Sequence, residues 1–138
     1  MVCPYCKKNT RVYNSRARKQ TNEIWRRRIC KSCNTQFTTI EHLDLSQVWR
    51  VRDVDGNLTD FNYETLFLSI YEILGHRKNP IADSRHLAHT VIGKIERSTK
   101  NAIIDKSFIT KTIIICLNRF DKVAGNHYQA YHLNKSSN

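Results

Sequence analysis

The chain has 138 residues, 23 Lys and Arg against 12 Asp and Glu, and a formal net charge of +11, which suits one ordinary domain or two small ones. No run of 18 apolar residues is present to cross a membrane. Met1-Val2 leads straight into Cys3 without the apolar stretch of a signal peptide, so a cytoplasmic protein is expected. The charge is uneven. Residues 1–50 carry eleven basic and three acidic side chains, and the remainder twelve and nine. That sets a polyanion-binding head against a nearly balanced body, the plainer alternative being a solvated basic surface.

The head opens on Cys3-Pro4-Tyr5-Cys6 and closes on Cys30-Lys31-Ser32-Cys33. In a reducing compartment such pairs are metal ligands rather than disulfides. A two-residue gap lets both thiolates of a knuckle reach one ion, and four sulfurs in a tetrahedron suit Zn²⁺. An iron–sulfur cluster or a redox dithiol pair are the alternatives. A Cys₄ site has no open position, so its expected role is structural. Between and after the knuckles, Arg11-Val12-Tyr13, residues 24–29 and Phe37-Thr38-Thr39-Ile40 read as strands, with Lys19-Gln20-Thr21-Asn22 as a turn.

Trp25-Arg26-Arg27-Arg28 runs directly into the second knuckle. On a strand Arg26 and Arg28 share one face, and Trp25 and Arg27 the other. Arg16 and Arg18 precede the turn and lie alongside on the neighbouring strand. Arginine forks match phosphate oxygens and the O6/N7 edge of guanine, and a β-ribbon is narrow enough to enter a major groove. The clustering, without interleaved acids, favours nucleic acid over a merely water-facing strand.

The body begins with Val48-Trp49-Arg50-Val51-Arg52, read as a strand, and Asp55-Gly56-Asn57 turns it into a hairpin ending at Leu58–Phe61. Tyr63, Leu66, Phe67, Ile70, Ile73 and Leu74 then recur at helical spacing, with Asn62 as N-cap and Gly75 at the end. Pro80 is expected in the following loop. Asp83 or Ser84 then caps a helix bearing Leu87, Ala88, Val91, Ile92 and Ile95 on one face, broken by Ser98–Asn101. A third helix, capped by Asp105 or Ser107, carries Ile109, Ile113, Leu117 and Phe120. A shorter fourth starts at Asp121 with Val123, Ala124, Tyr128 and Tyr131. Cys116 lies in an apolar run and reads as a small buried hydrophobe. His86 and His89 read as surface or capping residues. The fold expected is α+β, with residues 1–46 a β zinc ribbon, 47–133 a hairpin on about four helices, and 134–138 a polar tail.

Cys3-Pro4-Tyr5-Cys6, Asn14-Ser15-Arg16, Trp25–Arg28, Cys30–Cys33 and Phe37-Thr38-Thr39-Ile40-Glu41 occur in the order and spacing of the NrdR family. That family comprises bacterial repressors of ribonucleotide reductase genes, and the head resembles its CPxC, DSR, RRRR, CxxC and RFTTYE pattern. The body resembles the ATP-cone that follows, through the Asp55-Gly56 turn, Phe61, and Asp121-Lys122-Val123-Ala124. The resemblance implies a zinc ribbon that binds paired promoter boxes in double-stranded DNA. It also implies a cone that binds ATP or dATP and changes a homo-oligomeric state. Arg16, Arg26, Arg27 and Arg28 carry over as DNA contacts, joined by Arg18 from its place beside the strand; Val51, Arg52 and Thr65 mark the nucleotide site.

The chain departs from the pattern at Asn14 for Asp, Gln36 for Arg and Ile40 for Tyr. In the cone, Asp53 and Thr65 stand where the pattern has phosphate-neutralising lysines; a hairpin one residue longer would bring Arg52 to the first of these places. No nucleophile–base pair, open metal site or phosphate-cradling glycine loop points to an enzyme. The rival expectation is a zinc-ribbon protein with a degenerate cone, acting on RNA or as a protein-interaction module without nucleotide sensing.

Overall fold

The computed structural model describes residues 1–19 and 21–134; it divides the chain into two compact units, Met1–Leu43 and Asp44–Asn138. Expectations for residues 135–138 and for Gln20 lie outside the described residues.

In the first unit β1 (Thr10–Arg18), β2 (Glu23–Cys30) and β3 (Gln36–Glu41) form an antiparallel sheet in that order. Strand β1 runs well beyond Arg11–Tyr13. Asn14 to Arg18 are exposed and, but for Ala17, polar, so no apolar alternation announces them, yet each is paired with β2 in the ladder. The register shifts between Val12 and Asn14, leaving Tyr13 as the extra residue of a bulge. Among the described residues of this unit only Cys3 and Cys30 are buried. So small a sheet has almost no apolar core, and its sulfur cluster takes that place.

The second unit begins with α1 (Leu45–Val48), capped by the Asp44 carboxylate, which accepts the Ser46 amide at 3.1 Å. Val48 is therefore helical, and β4 is confined to Arg50–Arg52. Strand β5 (Leu58–Asp60) pairs antiparallel with β4, and β6 (Ile103–Asp105) pairs parallel with its other edge. The expected hairpin is thus a three-stranded sheet. Gly56 takes φ +86° at the turn, a conformation open to glycine. Helix α2 (Tyr63–Leu74) starts on Asn62, whose side chain accepts the Thr65 amide at 2.6 Å. Helices α3 (Pro80–Ser98), α4 (Lys106–Phe120) and α5 (Lys122–Asn134) follow.

The core joins Trp49 and Phe61, in an edge-to-face pair with centroids 5.3 Å apart, to Ile70, Leu74, Val91, Ile95, Ile104 and Leu117. The expected faces of α2 and α3 point inward, and Cys116 is buried. Two expectations are corrected, and a third, the cap at Asp105, holds in position only. Pro80 opens α3 as its first residue instead of lying in a loop, because a missing amide and a fixed φ cost nothing in a first turn; Asp83 and Ser84 therefore lie inside the helix. Asp105 precedes α4 as its N-cap residue without a side-chain cap bond. Along α5 the buried residues among those described are Ala124, Gly125 and Tyr128, whereas Val123 is 76% and Tyr131 50% exposed, and on α4 Phe120 is 37% exposed. The i, i+4 pair at 124 and 128 defines a stripe too narrow to take in its flanking neighbours.

Candidate metal centre and basic sheet face

The two knuckles are built alike. Lys7 and Asn34, each just past its second cysteine, adopt φ of 59° and 57°. Their amides donate to the carbonyls of Cys3 and Cys30 at 3.1 and 2.9 Å, and the amides of Cys3 and Cys30 donate to Lys8 and Thr35 carbonyls at 2.8 and 2.9 Å. This folding turns the sulfurs of each pair toward one point. All four lie within 4.8 Å of one another. Cys3 and Cys33 sulfurs are 3.6 Å apart, and those of Cys6 and Cys30 3.4 Å. A Zn–S distance of about 2.3 Å requires edges of roughly 3.8 Å, so the donor set fits a tetrahedral zinc.

The surroundings prepare thiolates unevenly. The Thr35 hydroxyl, 3.2 Å from the Cys33 sulfur, and then the Thr35 amide draw Cys33 down to about 6. The Cys33 amide lowers Cys30 in the same way. The Lys8 amide favours the Cys6 thiolate too, but the Cys30 thiol, burial and the other two thiols outweigh it and push Cys6 up to about 11. Protons that crowd together on four sulfurs are what a divalent cation displaces. Thr35 was not legible as a functional residue; its only signal was its place two beyond Cys33. His86 and His89 are both exposed on α3, with His89 5.9 Å from the Tyr63 ring. Among the described residues the four cysteines are the only group of three or more such ligands placed to share an ion.

The ladder sorts the arginines onto two faces, because residues directly opposite one another point the same way. Arg26 and Arg28 share a face with Ser15, Thr39 and Glu41. Arg26 donates to Glu41 at 2.8 Å and to Ser15, and Arg28 donates to the Thr39 hydroxyl at 3.3 Å. Both lie partly buried. Arg16, Arg18 and Arg27 lie on the other face, with Arg11 added by register. Arg18 stacks on Trp25, 3.6 Å from the ring centroid. Arg11, Arg16 and Arg27 are exposed and have no hydrogen-bond or ion-pair partner among the described residues.

Residues 1–41 match the family described as "Transcriptional repressor NrdR-like, N-terminal domain". The transcriptional repressor NrdR of Ehrlichia canis (strain Jake) is 33% identical over 137 residues, covering 97% of this chain and 87% of that protein. Its counterpart in Neorickettsia sennetsu is 34% identical over 137 residues, covering 97% and 89%. That of Anaplasma marginale (strain Florida) is 32% identical over 139 residues, covering 99% and 89%. The chain belongs to the NrdR family.

As an NrdR-family zinc ribbon, the first unit holds one structural zinc ion on Cys3, Cys6, Cys30 and Cys33. The family is one of repressors, not enzymes. No described helix is long and apolar enough to cross a membrane. In the second unit the residues expected to mark a nucleotide site are placed as follows. Val51 packs on the core. Arg52 donates to Asp105 at 2.8 Å, and its neighbour on the strand, Arg50, is 3.0 Å from Asp60. Thr65 is exposed in the first turn of α2. Asp53 closes the hairpin loop. One of its oxygens accepts the amides of Asp55 and Asn57 at 2.9 and 2.8 Å, and the other accepts the Asn57 side chain at 3.0 Å. The Asn57 side chain first, and the loop amides with it, hold the Asp53 carboxyl below its ordinary range.

Proposed function

We propose that this chain is a cytoplasmic, sequence-specific repressor of ribonucleotide reductase genes. Its zinc ribbon, residues 1–46, binds paired boxes in promoter DNA. Its body, residues 47–133, binds ATP or dATP near Val51, Arg52 and Thr65 and sets a homo-oligomeric state competent or incompetent for DNA. The single observation that carries the DNA reading is the arginine-bearing sheet braced by four converging sulfurs, in a chain whose relatives are named repressors over almost their whole length. Contact with the polyanion needs cations on a rigid platform, and a structural zinc supplies the rigidity.

A second reading of the body has an observation of its own. Arg52 and Arg50 are each neutralised by a carboxylate of the same sheet, and Asp53 is a fixed anion at the loop. In that reading the second unit assembles copies of the chain without a nucleotide. Fluorescence anisotropy decides between them, using a duplex with two boxes a whole number of helical turns apart and a scrambled duplex, each with and without dATP. A preference for the boxes that dATP changes, together with a dATP-dependent mass in light scattering, supports the nucleotide switch. A preference that ignores dATP supports the silent body. Equal, salt-sensitive binding to both duplexes sinks the repressor reading itself.

A further inference from the structure

We propose that the sheet face bearing Arg11, Arg16 and Arg27 is the one that reads the DNA, and that Gln36 on it selects an adenine. This rests on the DNA-binding reading above and adds to it which side of the sheet enters the groove and which base one residue prefers.

The register places four rows of side chains on this face, three of them crossing all three strands and the fourth pairing Arg18 with Glu23. Arg11 stands opposite Ile29, which stands opposite Gln36; Asn14 opposite Arg27, opposite Thr38; Arg16 opposite Trp25, opposite Ile40. Neighbouring strands are about 4.8 Å apart, so three strands span roughly 10 Å, against about 12 Å for the major groove of B-form DNA. Successive rows on a face are about 6.7 Å apart, two residues along a strand. The arginines of the opposite face are already committed. The Arg26 guanidinium closes on Glu41 with a side chain 32% exposed, and Arg28 reaches across to Thr39. Turning that face to DNA would carry the Glu41 carboxylate toward phosphates beside Arg26, whereas Glu23, the carboxylate on the Arg16 face, stands at its turn end and accepts from the Thr21 hydroxyl. Arg11, Arg16 and Arg27 have no such partner to give up, and the stack of Arg18 on Trp25 adds a fixed cation beside them.

Among the described residues Gln36 is the exposed amide on this face that the structure orients. The Tyr13 hydroxyl, two residues along β1 from Arg11, donates to its Oε1 at 3.0 Å. That bond leaves the amide nitrogen and one lone pair of the oxygen unused. A donor and an acceptor side by side match N7 and N6 of adenine, whereas an arginine at the same place would match O6 and N7 of guanine.

The test uses the zinc-loaded full chain on a pool of random 30-base-pair duplexes, selected and sequenced with and without dATP. Anisotropy then follows on the enriched duplex. The expected results are a loss of affinity of at least tenfold for Arg16→Ala with Arg27→Ala, and less for Arg26→Ala with Arg28→Ala. Gln36→Arg is expected to change an enriched adenine to guanine at one position of the motif. Because alanines can unsettle so small a sheet, Arg16→Lys with Arg27→Lys repeats the first arm. It keeps the charge and loses the fork, so it is expected to retain nonspecific affinity while losing the motif. Zinc content and circular dichroism confirm that each variant is folded. Losses equal in the two arginine pairs, or larger for Arg26 and Arg28, overturn the face assignment; an unchanged motif with Gln36→Arg overturns the adenine contact. A wild-type chain that enriches no motif in either condition removes the DNA reading and this inference with it.

Discussion

At the residue scale, one partly buried and one fully buried polar side chain show opposite sides of the same rule. Asp121 is well satisfied. Its Oδ1 accepts the Ala124 amide at 3.1 Å as the cap of α5, and its Oδ2 lies 3.2 Å from both His76 Nε2 and Arg77 Nη1. The Ala124 amide, and after it His76 and Arg77, hold its carboxyl below the usual range despite partial burial. A carboxyl lowered in the folded state contributes stability above its unfolded value of about 3.9, lost as pH falls through the lower folded value. Asp121→Ala is therefore expected to cost roughly 1 kcal/mol for the cap at neutral pH. The difference from wild type should shrink in urea titrations below about pH 4. Ser84 is the contrary case, fully buried on α3 with its hydroxyl unpartnered. Ser84→Ala removes a desolvated hydroxyl and improves helix propensity. It should raise stability by about 1 kcal/mol; a lower urea midpoint would show that the hydroxyl is in fact bonded.

At the element scale, the sequence was legible wherever a period or a spacing encodes contact. The five positions expected on the inner face of α3, Leu87, Ala88, Val91, Ile92 and Ile95, all face the core, because every one recurs at three- or four-residue intervals. The paired Cys-x-x-Cys spacing likewise names the residues whose sulfurs converge. Strand β6 was not legible. Three residues after a helix end have no period, and their partner β4 lies some fifty positions earlier. The face on which each arginine lies was half legible: alternation separates Arg26 from Arg27, but the bulge at Tyr13 decides where β1 places Arg11 relative to Arg16. Gly125 shows a similar limit. A Cβ there would fall 2.8 Å from the Asn118 amide nitrogen and nearer still to its side chain, so α5 crosses α4 at this point with no room for one. Gly125→Ala gains about 1 kcal/mol of helix propensity but meets an overpacking cost of typically 1–3 kcal/mol. The expected net result is a lower thermal midpoint; a higher one would mean that the helices part without cost.

At the scale of the whole molecule, charge and core are divided between the two units. The basic excess gathers in a ribbon almost without apolar interior, and the apolar core in a body of near-balanced charge. Zinc in sites of this kind is worth roughly 10–16 kcal/mol, more than the ribbon's other contacts could supply. Cys30→Ala is accordingly expected to unfold residues 1–43 while the helical signal of the second unit survives in circular dichroism. The central claim, that a zinc-braced ribbon delivers sequence-specific DNA binding, is tested most directly by one titration. The chain, zinc-loaded or stripped with chelator, is added to the promoter duplex of the source organism's own ribonucleotide reductase genes and to a scrambled duplex. At physiological salt the loaded chain is expected to prefer the promoter by a factor on the order of 10³ or more, and the stripped chain to show no preference. Equal affinities for the two duplexes with zinc bound, or a preference that survives its removal, would contradict the account.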